Sequence, residues 1–227
     1  MDEPVRTSRV FRLKVWGPNA CFTRPEMKVE RVSYDVMTPS AARGVLDAIL
    51  WKPAIAWRII RIDVLNPIRW ESVRRNEVGA VGSVDLAATA MKRKKGNLGF
   101  FIEEERQQRA GLFLRDVAYI IHACFELTTK AGEEDTITKF QEMFARRAEK
   151  GQCFHRPYLG CREFAASFTL ISEDIQLPEP IPESRDLGWM LHDLDFGGKD
   201  PVPYFFQAAL ENGRMMVPPF NGEGVRA

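Results

Sequence analysis

Two hydrophobic periods alternate along this chain, and their order restricts the fold more than any other feature. Between Val10 and Trp16, Phe11, Leu13 and Val15 fall on one side and Arg12, Lys14 and Trp16 on the other. A period of two marks a half-buried strand, because successive side chains of a pleated strand point to opposite faces. The stretch from Gly17 to Met37 has no clear period and contains Pro18 and Pro25, so it reads as a long excursion. Thr38-Pro39 then opens a helix: threonine caps free N–H groups and proline suits the first helical position. Ala42, Val45, Leu46, Ile49 and Leu50 keep helical spacing until Pro53 stops the run.

A strand is expected over residues 56–65, with Ile60, Ile62 and Val64 on one face. The pattern weakens from 66 to 112, which reads as a polar, basic insertion or long loop. Alternation returns from Val117 to Leu127. A second helix follows over about 135–150, with Ile137, Phe140 and Phe144 on one stripe and Gly151 as a stop. Phe164, Ala166, Phe168 and Leu170 mark a further strand. The order is β-α-β, insertion, β-α-β. That predicts an α+β fold with a ferredoxin-like or RRM-like βαββαβ domain over residues 1–172, carrying an insertion at about 66–112. RNA-recognition modules use this order, as do many unrelated proteins. Beyond Ser172 the Pro-rich stretch Leu177–Pro182 reads as a linker and Leu187–Phe196 as a strand. Phe205–Val217 reads as a hairpin turning at Asn212-Gly213. A small antiparallel β subdomain is expected over 173–227.

Composition works mainly by exclusion. An apolar share of 45% and a charged share of 28% fit an ordinary globular chain. No run of apolar residues is long enough to span a bilayer, and Met1–Thr7 lacks the apolar core of a signal peptide, so a cytoplasmic protein with no membrane partner is expected. Cys21, Cys124, Cys153 and Cys161 are scattered without a Cys-x-x-Cys pair, which predicts neither a disulfide framework nor a metal site, and no cofactor. The net charge of +1 hides separated patches. Lys92, Arg93, Lys94 and Lys95 form a basic run that Arg69, Arg74 and Arg75 precede, while acids gather at Glu103–Glu105 and Glu133–Asp135. Separated patches suit either a polyanion-binding face or solvated loops, and charge alone does not choose between them.

Four ordered motifs do choose. Ala20-Cys-Phe-Thr-Arg-Pro-Glu-Met-Lys-Val-Glu-Arg-Val-Ser-Tyr-Asp-Val-Met-Thr-Pro-Ser-Ala-Ala-Arg-Gly, reaching to Trp51-Lys52-Pro53, is the longest. Arg74-Arg75-Asn76-Glu77-Val78 is the second. Lys150–Phe154 with Tyr158–Phe164 is the third, and Arg185-Asp186-Leu187-Gly188 the fourth. Together they resemble the subtype I-C CRISPR-associated pre-crRNA processing protein of the RAMP superfamily. The resemblance implies an RRM-like domain with a small β-rich appendage and binding to the repeat-derived 5′ handle of CRISPR RNA. It also implies a place among the other subunits of a type I-C surveillance complex (Cascade). It further implies metal-independent endoribonuclease activity. A base would take the proton of a ribose 2′-hydroxyl, a cation would steady the phosphate, and an acid would protonate the leaving oxygen, giving a cyclic phosphate product.

The residues depart from that pattern at the chemistry. The family usually places a tyrosine or histidine immediately before Trp-Lys-Pro, and here Leu50 stands there. It usually places a Lys-His pair early in the second helix, aligned here with Lys139-Phe140. Lys139 therefore remains as a catalytic candidate, and His155, followed by Tyr158, is the best replacement. His155 also reads as a structural histidine, and Lys139 as a solvated helix residue. The alternative function is a non-cleaving subunit that binds the handle. Expected RNA contacts are Lys28, Arg31, Lys52, Arg74, Arg75 and Lys92–Lys95, with Tyr34 as a base-stacking ring. Arg146 and Arg147 suit RNA equally with a helix C-terminus. Double-stranded DNA is a third candidate partner for the basic run.

Overall fold

The alternation that opens the chain becomes β1 (Phe11–Ala20), in which Phe11, Leu13 and Val15 are buried and Trp16 is exposed. The computed structural model describes residues 7–27, 29–96, 99 and 101–227; Lys28, an expected RNA contact, lies outside the described residues. The first helix, α1 (Pro39–Ile49), begins where the local chemistry predicts. Thr38 is its cap, the Thr38 hydroxyl accepts from the Ala41 N–H, and Pro39 opens the first turn. Then follow β2 (Ile55–Val64), β3 (Trp70–Val78), α2 (Val84–Arg93), β4 (Arg106–Leu127), α3 (Ile137–Glu149) and β5 (Ser167–Ile171). The last elements are β6 (Arg185–Asp195), β7 (Val202–Leu210) and β8 (Arg214–Met216).

The main sheet runs β5-β1-β4-β2-β8, and β3 pairs with the first half of β4. Its strand pairs are antiparallel. Thus β1 and β2, joined through α1, lie on either side of β4. Val45, Leu46 and Ile49 of α1 and Phe140, Phe144 and Ala148 of α3 enter one core with Leu13, Val15, Ile62 and Ile121. Phe144 closes against Phe11 (4.8 Å between centroids) and Trp57 (4.7 Å), so α3 sits over the meeting of β1 and β2.

Two expectations need correction. Residues 66–112 are not a long loop: they hold β3, α2 and the start of the 22-residue β4, which together form an arm. α2 buries none of its residues, and β3 is exposed or half-buried along its length. An arm wet on both faces leaves no apolar alternation to read. Second, the turn at Asn212-Gly213 is present, with φ of 47° and 73°, as a tight primed turn requires. Glu211 and Arg214 pair across it, but beyond that one bridge the strand after the turn pairs with β2, and β7 pairs with β6. Met190, Phe206, Leu210, Met215 and Val217 accordingly join the same core as the N-terminal elements.

Candidate nucleic-acid interface

Leu50 ends α1 in an extended conformation (φ −146°, ψ 105°), with its N–H donating to the Leu46 carbonyl. Its side chain is fully buried, and its carbonyl accepts from the Trp57 indole N–H at 3.1 Å. Trp57 packs edge-on against Phe125 (5.2 Å), which in turn meets Phe140 (6.4 Å). Leu50 and Phe140 therefore belong to one apolar aromatic wall, and neither can move a proton. Polar groups collect just outside that wall. Trp51 is 64% exposed and Lys52 follows it into solvent. Lys139, in the first turn of α3, reaches Asp135 Oδ1 at 3.0 Å and the Glu134 carbonyl at 3.4 Å. The Gly132 N–H, then Lys139 and the charge of Lys52, hold the Asp135 carboxyl below its usual range. Lys52 and Lys139 thus share one acidic neighbour at the mouth of the α1–β2 turn.

His155 and Tyr158 lie elsewhere. The Phe154 N–H donates to the Ala48 carbonyl (2.8 Å), which sets the loop after α3 along α1. His155 there acts electrostatically on Asp47, whose carboxyl burial pushes up despite Arg43. The rings of His155 and Tyr158 are 6.5 Å apart. Tyr158 lines a cleft of about 450 Å³ with Ser40, Arg43 and Asp193. Arg43 grips Asp193 with two N–H groups (2.5 and 2.8 Å) and Asp47 with a third (2.8 Å), which raises its pKa further. Lys139 starts α3 and His155 follows its end, so ~15 Å of helix separates them. The three catalytic candidates do not converge on one point.

The basic residues divide by element. Arg31 reaches Glu77 (3.1 Å) and Glu163 (3.2 Å), Arg75 reaches the same two carboxylates (3.1 and 2.5 Å), and Arg109 reaches Glu77 (3.3 Å). Three arginines around two glutamates leave a surplus of positive charge where the arm joins the body. Arg75 also lies over the Phe113 ring at 5.1 Å. Arg74 is exposed on the opposite face of β3. Ser83 caps α2, which carries Lys92 and Arg93 in its last turn, with Lys94 in a left-handed cap and Lys95 beyond, all exposed. Arg146 is exposed, whereas Arg147 donates to the Ile49 carbonyl at 3.0 Å and so closes the end of α1. Tyr34 is a correction: it is 1% exposed, its hydroxyl accepts from the Leu191 N–H (3.3 Å) and Arg24 covers its ring (4.5 Å). That ring is not free to stack on a base.

With this geometry in place, the known relatives are informative. A family model described as CRISPR-associated protein (Cas_Cas5) matches residues 10–219. The chain belongs to the Cas5 family. It is 58% identical over 221 residues to the CRISPR pre-crRNA endoribonuclease Cas5d of Mannheimia succiniciproducens, spanning 95% of this chain and 98% of that one. It is 41% identical over 227 residues to the protein of the same name from Thermus thermophilus, spanning 92% and 91%. A solved structure described as a CRISPR-associated protein superposes with a TM-score of 0.72 at 23% identity, over 99% of this chain and all of that one. It supports the α+β fold.

Several groups at this Cas5 surface escaped the sequence reading. The Arg43–Asp47 pair had a signal, since residues four apart share a helix face. Asp193, 150 positions away, had none. His122, in β4, places Nε2 2.8 Å from Asp63 Oδ2 and 2.9 Å from the Arg61 guanidinium, a pairing of strands that no local signal shows. Among the described residues no cluster of side chains could hold a metal ion, and no helix is long and apolar enough to cross a membrane.

Proposed function

We propose that this Cas5 chain binds the repeat-derived 5′ handle of CRISPR RNA, works beside the other subunits of a type I-C complex, and processes the precursor RNA without a metal. The near full-length 58% identity to a protein named as a pre-crRNA endoribonuclease carries this reading. The surplus cations at Arg31, Arg75 and Arg109, the exposed run Lys92–Lys95, Arg74 and Arg146 supply a face for phosphates. Lys52 and Lys139 supply cations beside the family's catalytic positions.

The sheet order supports reading the main sheet as ferredoxin-like, with β1-α1-β2 split by β4 and β4-α3-β5 completing the unit. Residues 1–172 would form this RRM-like platform, with the arm at 66–112, and residues 173–227 a β-rich brace against it. Double-stranded DNA, reached through the arm, is a lesser partner in this proposal, and competition with repeat RNA measures it.

A second reading, a non-cleaving handle-binding subunit, rests on one observation: Leu50 and Phe140 are buried apolar side chains where the family's proton-transfer groups are expected. Incubating the purified protein with its own repeat RNA in EDTA separates the two. Specific products with a cyclic phosphate end support processing. Tightly bound but intact RNA overturns it and leaves the binding role.

A further inference from the structure

Cys21 and Cys161 meet where the end of β1 faces the loop after Leu159. The Cys21 N–H donates to the Leu159 carbonyl at 3.0 Å, and Gly160 follows in the left-handed region at φ +82°. A Cβ at Gly160 would stand 2.0 Å from the Cys21 carbonyl oxygen, so only glycine lets the two backbones approach this closely. Cys161 is thereby laid against Cys21: its Sγ donates to the Cys21 carbonyl oxygen at 3.5 Å. The Thr23 hydroxyl stands between them, 3.4 Å from Cys21 Sγ and 3.7 Å from Cys161 Sγ. Arg31 directs a guanidinium N–H at Cys161 Sγ from 3.6 Å.

The geometry points to a dithiol modification site, in which Cys161 is the attacking thiolate and Cys21 the resolving thiol toward hydroperoxides. The environment separates the two roles. The neighbouring Cys21 thiol, then Thr23 and Arg31, hold the Cys161 thiol below its usual range despite burial. The neighbouring Cys161 and burial push the Cys21 thiol up, so it keeps its proton. Cys161 is half-buried and open to a small oxidant, whereas Cys21 is fully buried and cannot be attacked first.

The chemistry balances. The Cys161 thiolate attacks one peroxide oxygen, an S–O bond forms, the O–O bond breaks, and the departing hydroxide takes a proton to leave as water. With the thiolate charge gone, Cys21 gives up its proton more readily and attacks the sulfenic sulfur. An S–S bond forms, the S–O bond breaks, and hydroxide leaves with the proton of Cys21 as a second water. Two thiols are oxidised and one peroxide is reduced. The disulfide removes a negative partner from Arg31, which also holds Glu77 of the arm.

The test treats the full-length protein with equimolar hydrogen peroxide, blocks remaining thiols, and maps peptides without reduction. A Cys21–Cys161 linked peptide that dithiothreitol removes is the expected result. Cys153, exposed in the loop after α3, is the internal control and should react about tenfold more slowly. Cys21→Ala should instead accumulate a dimedone adduct at Cys161, and Arg31→Gln should slow the reaction severalfold while the protein still melts cooperatively. Oxidation of Cys153 ahead of Cys161 in the unmodified sequence, or absence of the linked peptide, overturns the proposal whatever the variants do.

Discussion

Asp63 is 1% exposed in the middle of the sheet, an expensive place for a carboxylate. Burial pushes its pKa up, but hydrogen bonds from His122 and Arg61 outweigh burial and hold it below the usual carboxylate range. A depressed folded pKa stabilises the fold above the unfolded value, and that stability is lost as pH falls through the folded one. Unfolding free energy should therefore decline with acid below about pH 4, and Asp63→Asn should flatten that decline while destabilising the protein by about 1.5–3 kcal/mol at neutral pH. Urea titrations at pH 3 and pH 7 measure both effects, and an unchanged acid slope in the variant would rule out this assignment. Leu50→His with Phe140→His places two ionisable rings in an apolar site. Each imidazole enters the aromatic wall around Trp57 and should cost about 1–3 kcal/mol, visible as a lower Tm. If these are the family's catalytic positions, the folded double variant should gain repeat-RNA cleavage in EDTA; a folded, RNA-bound variant without that gain argues against the alignment. At this scale the sequence shows which residue types are present. It does not show that Arg31, Arg75 and Arg109 share Glu77 and Glu163, because their pairing depends on elements far apart in the chain.

Among the elements, the start of α1 was legible to the residue because a cap acts locally: Thr38 and Pro39 carry their own instructions. The arm was not, because its strands lack a dry face and its helix buries nothing. That same wetness yields a prediction. Val78 and Arg106 are direct partners across β3 and β4, so residues 79–105 can be replaced by an Asn-Gly turn without shifting the register. Melting should change by only a few degrees, since little apolar area is lost. Repeat-RNA affinity should fall, because Lys92, Arg93, Lys94 and Lys95 leave with the segment. If all four engage phosphates of a single strand, the slope of log K against log salt should become shallower by about 3. Equal affinity and slope for the shortened protein would remove the basic run from the interface.

For the molecule as a whole, the decisive contacts join the last 55 or so residues to the first half of the chain. The composition change after Ser172 made a boundary visible, but sequence cannot show where a strand finds its partner. β8 pairs with β2 and lies next to it at the edge of the main sheet. Met190, Phe206, Leu210 and Met215 are each 2% exposed or less, inside the core that also holds Ile49 and Ile62. Truncating a buried residue of this size to alanine costs about 2–5 kcal/mol, and losing several at once approaches the 5–15 kcal/mol that holds a typical domain together. A chain ending at Ser172 would also leave the β2 edge unpaired, a template for aggregation. It should therefore fail to melt cooperatively and should bind a hydrophobic dye such as ANS at neutral pH. The complete chain should show one sharp transition by circular dichroism and by tryptophan fluorescence alike. A cooperative melt from the shortened chain would mean that the platform stands alone and that residues 173–227 are an independent appendage rather than a brace.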